Sequence, residues 1–258
     1  LKRQALLYES ATLHVFRRAG IAPGMRVLDI GCGVGDVSFV ARQLVGEAGA
    51  VMGIDRGPEA IGEARERAHA AGLTNVHFEV SDCNSFPHEE KFDALVGRLV
   101  LMYQREPENT LRSLSGLLRS GGRVAFLEYD MGLAPVSYPP NELFEQTCNV
   151  VRSTFAKTGG RLRMGAELYS TFIAAGLPAP ELHVEIPAGA GTEWVAYEMV
   201  AEVARTLLPA MEKLGLATAQ EMKIDTLADR LRNECVRQGS VTFAPAIVGA
   251  WTAIARGQ

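Results

Sequence analysis

Along the first half of the chain, short continuous apolar runs alternate with stretches of helical spacing. Arg26-Val27-Leu28-Asp29-Ile30 reads as a buried strand, bounded by Pro23-Gly24 before it and by glycines after it. Val37 to Val45 carries apolar residues at helical spacing, and Val51-Met52-Gly53-Ile54-Asp55 is the next strand. Pro58 stands where a helix would begin, because its fixed φ suits a first turn, and Gly72 is a plausible stop. Val76, Phe78 and Val80 alternate with polar neighbours as a strand does. Phe92 to Val96 and Arg123 to Leu127 add two strands, with a helix from about Pro107 to Leu118 between them that Ser120-Gly121-Gly122 ends. Strands separated by helices predict a parallel sheet, since a right-handed crossover needs a helix of about this length.

The second half reads as mainly helical. Segments at about Asn141 to Lys157 and Met164 to Ala175 are followed by a strand at Leu182 to Ile186. A long amphipathic helix from Glu193 to about Leu214 places Val200, Val203, Leu207, Met211 and Leu214 on one stripe. Another from Glu221 to Gln238 aligns Ile224, Leu227, Leu231 and Cys235, and Ala246 to Ile254 is a final apolar strand.

Composition narrows the partners. Of 258 residues, 47% are hydrophobic and 22% charged, the balance of an ordinary globular protein. The net charge is −4 and no block of Lys and Arg is present, which disfavours a nucleic-acid partner. No apolar run reaches the roughly 18 residues a membrane span requires, and the N-terminus shows no signal-peptide pattern, although it opens at Leu1 rather than Met. Cys32, Cys83, Cys148 and Cys235 lie far apart without a CxxC pair, so they read as reduced thiols, with no metal site, in the cytoplasm.

The strongest chemical signal is Val27-Leu28-Asp29-Ile30-Gly31-Cys32-Gly33-Val34-Gly35, a strand entering a turn of alternating glycines with a helix behind it. Such a turn lets a ligand approach main-chain atoms without a Cβ in the way. Asp55 ends the next strand, where a carboxylate can accept from both ribose hydroxyls, and Asp82 follows the third strand, where it can accept from an adenine amino group. Nicotinamide enzymes share this logic. Their GxGxxG pattern wants glycine at position 36, however, and this chain has Asp36.

With Asp29 two residues before the first glycine, the sequence resembles the class I methyltransferases that use S-adenosylmethionine (SAM). The resemblance spans roughly residues 20 to 130, through Asp29 to Gly35, Gly53-Ile54-Asp55, Ser81-Asp82-Cys83, Phe92 to Val96 and Leu117 to Arg123. It implies an α/β fold: a Rossmann-like, mostly parallel seven-stranded sheet with helices on both faces and helical lid insertions. Residues 1–258 would form one domain with a SAM-binding core at 1–130. The insertions at 131–178 and 188–240 would cover an acceptor, and 179–187 and 241–258 would supply the last two strands. Gly31, Cys32 and Gly33 are then expected to line the methionine end of SAM, with Asp29 orienting its amino group. Asp55 and Arg56 would hold the ribose, and Asp82 and Cys83 would bracket the adenine. Arg98 would close the pocket, and Tyr8 would either reach the methionine carboxylate or only pack its ring.

The implied reaction is methyl transfer to oxygen, carbon or nitrogen of a small molecule, with specialised metabolism or quinone methylation as the settings the resemblance suggests. The alternatives are a SAM-binding protein without methyl transfer and a nicotinamide-dependent oxidoreductase. Gly97-Arg98-Leu99-Val100 stands where a motif for nucleic-acid or amide nitrogens would be, and Pro139-Pro140-Asn141 lies too far on. None of His14, His69, His77, His88 and His183 falls in a base motif, so no catalytic residue is singled out. Glu128, Tyr129 and Asp130 are candidates for polar contact with the acceptor. Phe144, Trp194, Tyr197 and Met199 would line its pocket or else serve ordinary helix packing.

Overall fold

The computed structural model describes residues 2–86, 91–133 and 136–255, which leaves His88 outside the described residues. The chain divides into two compact units. The first comprises residues 1–128, 164–184 and 247–258, and the second 129–163 and 185–246.

The first unit holds helix α1 (Lys2–Ala19), strand β1 (Arg26–Ile30), α2 (Asp36–Val45), β2 (Ala50–Asp55), α3 (Pro58–Ala70), β3 (Val76–Val80), β4 (Phe92–Arg98), α4 (Pro107–Ser115) and most of β5 (Leu118–Asp130). To these it adds α6 (Met164–Ala174), β7 (Glu181–Glu185) and β10 (Ala246–Ala253). The strands form a seven-stranded sheet in the order β3-β2-β1-β4-β5-β10-β7. The β1–β2, β2–β3, β1–β4 and β4–β5 pairs are parallel. In such a sheet both faces are covered, so its central strands are near-continuous apolar runs: Val27, Leu28, Ala94, Leu95, Val96 and Val124 to Leu127 are all buried. Strand order reverses between β1 and β4. With right-handed crossovers, that reversal puts α2 and α3 on one face and α4 on the other, and opens a crevice beyond the carboxyl ends of β1 and β4.

Asp36, the residue that breaks the dinucleotide pattern, opens α2 and pairs with Arg67 of α3 at 2.8 Å. An acid in a helix's first turn meets the positive end of its dipole. The Arg67 guanidinium also lies over the Phe39 ring at 4.8 Å and donates to the Val34 carbonyl, which fastens the glycine turn from behind.

The second unit contains α5 (Glu142–Lys157), α7 (Ala196–Lys213), the short α8 (Ala219–Met222) and α9 (Leu227–Gln238). A three-stranded sheet, β6 (Ser137–Tyr138), β9 (Val241–Phe243) and β8 (Ala188–Gly189), is antiparallel throughout. The core of this unit gathers Phe144, Tyr197, Ala201, Met211, Leu227 and Leu231. Asn141 caps α5, its Oδ1 accepting from the Phe144 N–H at 3.0 Å, so Pro139-Pro140-Asn141 serves as a helix start.

Several boundaries differ from the sequence reading. The segment Leu118–Gly122 belongs to β5, joined across a register shift between Phe92 and Ala94 of β4, and α4 stops earlier, at Ser115. The helix expected over 221–238 starts at Ala219 and breaks at Lys223, whose φ is 46°. The first helical insertion ends at 163, because α6 belongs to the sheet-bearing unit.

Candidate functional site

A cavity of about 170 Å³ opens in the first unit at the crevice. Gly31 just after β1, Ile54 and Asp55 of β2, Arg56 just after it, and Ser81 and Cys83 from the loop after β3 form one side. Leu99, Val100, Tyr103 and Gln104, from the loop after β4, form the other. Gly31, Asp55, Arg56 and Cys83 of the sequence expectation therefore meet in one place. Asp29, Cys32, Gly33, Asp82, Arg98 and Tyr8 are not among the residues that line it.

The glycine turn is held by Asp55. Its Oδ2 accepts from the Gly33 N–H at 3.0 Å and its Oδ1 from the Gly57 N–H at 2.8 Å. A carboxylate offers about four acceptor positions, so both oxygens keep capacity for further donors. Gly31 and Gly33 take φ of 63° and 54°, left-handed values costly for residues with a Cβ. A Cβ at Gly31 would lie 2.5 Å from Val100 Cγ2, whereas one at Gly33 would meet nothing within 4 Å.

Asp29 is fully buried at the end of β1. Its Oδ2 accepts from the Ser38 hydroxyl at 2.6 Å, while its Oδ1 is buried with no partner. Burial pushes its carboxyl up to about 7, against the lowering effects of the Ser38 hydrogen bond and the Arg98 charge. A buried acceptor without a donor is costly, which marks the place where a donor from a ligand would be stabilising.

Arg98 ends β4 and donates to Thr12 Oγ1 at 2.9 Å, and Thr12 in turn donates to the Tyr8 carbonyl at 2.7 Å. Arg98 thus ties α1 to the strand beside Asp29. Tyr8 itself is fully buried. Asp82 is fixed from within its loop, its Oδ1 accepting from the Asn84 N–H at 2.9 Å and the Asn84 amide at 3.1 Å. Asn84 also reaches Gln104 at 3.1 Å and accepts from Thr110 at 2.7 Å, which couples the loops after β3 and β4. Burial raises the Cys32 thiol and lifts Cys83 to about 11, so neither is a thiolate at neutral pH.

Except for Glu128, which belongs to the first unit, the residues expected at an acceptor lie in the second. Phe144 and Tyr197 are fully buried there, ring against ring at 6.3 Å, and Tyr129 and Met199 are also buried. Trp194 lies against Gly189 and donates to Thr242 at 2.8 Å. Packing within their own unit accounts for Phe144 and Trp194, whereas Tyr197 packs its ring there and keeps a buried hydroxyl with no partner. The contact expected of Glu128 differs from its placement: both oxygens face backbone N–H groups of residues 100–102. Asp130 accepts from Arg163 and from the Gly132 N–H. The His14 and His183 rings lie against each other, centres 4.3 Å apart and tilted by 34°. Sequence reasoning missed Tyr103 and Gln104, whose side chains carry no motif of their own.

Comparison with known proteins agrees with this architecture. Residues 21–176 match the family model described as a methyltransferase domain. The aklanonic acid methyltransferase DauC of a Streptomyces species is 40% identical over 105 residues, covering 40% of this chain and 47% of that protein. The ubiquinone/menaquinone biosynthesis C-methyltransferase UbiE of Azotobacter vinelandii is 30% identical over 184 residues, covering 69% of this chain and 70% of that protein. The chain thus spans about half the length of several curated relatives it matches. A solved phosphoethanolamine N-methyltransferase 2 from Haemonchus contortus, bound to S-adenosylhomocysteine (SAH), superposes with a TM-score of 0.59 at 17% identity, over 96% of this chain and 53% of that one. The family match and the fold together show a methyltransferase domain of the class I, S-adenosyl-L-methionine-dependent type. The chain belongs to the methyltransferase-domain family. Among the described residues, no helix is long and apolar enough to cross a membrane.

Proposed function

We propose that the chain methylates a small molecule at oxygen, carbon or nitrogen, with the cofactor held in the crevice of the first unit. The observation that carries this reading is the glycine turn braced by the cavity-lining Asp55, with the buried Asp29 Oδ1 left unpartnered on the strand that enters that turn. When bound, SAM supplies an electrophilic methyl group on a sulfonium. Asp29 would accept from the amino group of its methionine moiety, Asp55 and Arg56 would hold the ribose, and Asp82 and Cys83 would bracket the adenine. What the chain adds is orientation and exclusion of water, which supply much of the rate of such a transfer. No side chain is assigned as base, and an acidic phenol or an activated carbon acceptor needs little help in losing its proton. DauC is named for aklanonic acid and UbiE for ubiquinone/menaquinone biosynthesis, so an organic acid and quinone-related acceptors come first. Acceptor selection falls to the helical second unit, which the cofactor motifs do not use. Four free cysteines, with Cys148 and Cys235 raised to about 12 and about 11 by burial, suit a cytoplasmic enzyme. The test is mass spectrometry of phenolic and quinone acceptors incubated with methyl-labelled SAM. A labelled product is expected, and SAM consumption without any methylated acceptor would overturn the reading.

Asp29 also sets a pH dependence. Burial raises its carboxyl to about 7, so below that pH it is protonated and must release its proton to receive an ammonium group. SAH affinity should therefore rise with pH up to about 7 and then level, with a slope approaching about tenfold per pH unit on the acid side. Calorimetric titration across this range checks it: Asp29→Asn should flatten the profile, and a flat wild-type profile would remove Asp29 from the amino-group site.

A further inference from the structure

Among the described residues of the first unit, two acids are completely buried, Asp29 and Glu128. The second has no part in the cofactor contacts set out above. Glu128 lies on β5, and both its oxygens are turned to the loop after β4. Oε1 accepts from the N–H of Val100 at 2.9 Å and of Leu101 at 2.8 Å, and Oε2 accepts from the N–H of Met102 at 3.2 Å. These groups open the single 3-10 turn Leu101–Tyr103, where the chain's own backbone offers N–H groups no acceptor. Burial pushes the carboxyl up to about 7, and the three N–H donors hold it down against that.

The same loop is fixed at its start. Leu99 takes a left-handed φ of 56°, a conformation a bulky residue adopts only when its surroundings impose it, and its N–H bonds the Leu127 carbonyl at 2.9 Å. Adjacent residues of β5, Leu127 and Glu128, therefore dictate the path of residues 99–102. That path lays Val100 on the glycine turn: a Cβ at Gly31 would lie 2.5 Å from Val100 Cγ2, and one at Gly97 2.9 Å from Val100 Cγ1. Gly31, Leu99, Val100 and Tyr103 all line the cavity.

We propose that Glu128 is a positioning residue for the cofactor site: by binding the backbone of residues 100–102 it seats Val100 on Gly31 and so sets the cavity wall opposite Asp55. It touches neither cofactor nor acceptor. Its effect passes through Val100, and the inference rests on the cofactor placement proposed above.

The experiment is calorimetric titration of SAH into wild type, Glu128→Gln, Glu128→Ala, Val100→Ala and the Glu128→Gln/Val100→Ala double variant, each well below its melting temperature. Glu128→Gln keeps one acceptor oxygen but presents an amide N–H to the third donor, so its dissociation constant should rise about tenfold. Glu128→Ala should be weaker still, which makes the glutamine variant a partial rescue. Val100→Ala, which removes only the side chain on Gly31, should weaken SAH about threefold or more with the fold intact. Because both changes act on one wall, the double variant should lose less than the product of the single losses. SAH binding by Glu128→Gln within about twofold of wild type, or fully multiplicative losses, would overturn the proposal. If neither Glu128 variant folds, Val100→Ala decides alone, and unchanged affinity there overturns it. Failure of the wild type to bind SAH would instead bring down the cofactor placement itself.

Discussion

Asp55→Ala should weaken SAH binding by about a hundredfold or more, because it strips the acceptor from two N–H groups and, in the proposed placement, from two ribose hydroxyls. Asp55 has two tasks. It braces the glycine turn through the Gly33 N–H at 3.0 Å and its own loop through the Gly57 N–H at 2.8 Å, and the capacity left on both oxygens faces the cavity. Asp55→Asn keeps one acceptor oxygen and should fall between wild type and alanine. Calorimetric titration measures all three. An Asp55→Ala affinity within about threefold of wild type would mean that neither the brace nor the ribose contact is formed by this carboxylate.

Gly31→Val should remove SAH binding and also lower stability, and the comparison with Gly33→Ala separates the two effects. At Gly31 the added Cβ meets Val100 Cγ2 at 2.5 Å and φ is 63°, so overpacking adds to left-handed strain for a loss of about 3 kcal/mol. For a chain of this size that is a fall in Tm of roughly 6 to 12 °C. At Gly33 nothing lies within 4 Å of the new Cβ, so alanine incurs the strain of φ 54° alone, about 1 to 2 kcal/mol. Gly33→Ala should therefore stay folded, with a smaller fall in Tm, yet bind SAH poorly, since its methyl group enters the open space above the turn. Thermal melts with and without SAH check both. Full SAH stabilisation of Gly33→Ala would show that the cofactor does not approach this turn.

Much of the first unit was legible in the sequence because a sheet buried on both faces writes itself as apolar runs. Val27 to Ile30, Phe92 to Val96 and Ala246 to Ala253 could be read directly. The cofactor side was legible for a related reason: glycines in a tight turn and acids at strand ends are local demands of the chemistry. What stayed hidden depends on distant partners or on very short elements. Strands β6 and β8 have two residues each, too few to show a period. Ser120-Gly121-Gly122 looks like a helix stop because its composition is that of a turn, yet pairing with β4 draws it into β5. Lys223 breaks a helix with a left-handed residue that is not glycine, so no composition signal announces the break. The wall formed by Val100, Tyr103 and Gln104 escaped because its course is set by Glu128, 28 residues beyond Val100. For Phe144 and Tyr197 an aromatic in an amphipathic helix left pocket lining and helix packing both open, and the two rings sit in the core of the second unit.

The placement of the cofactor in the first unit is tested most directly by titrating SAH, and separately NAD, into the wild-type protein and reading heat and Tm together. The expected result is saturable binding of one SAH per chain with a raised Tm, and no response to NAD, because Asp36 occupies the position where a dinucleotide turn needs its third glycine. Saturable binding of NAD with none of SAH would contradict it.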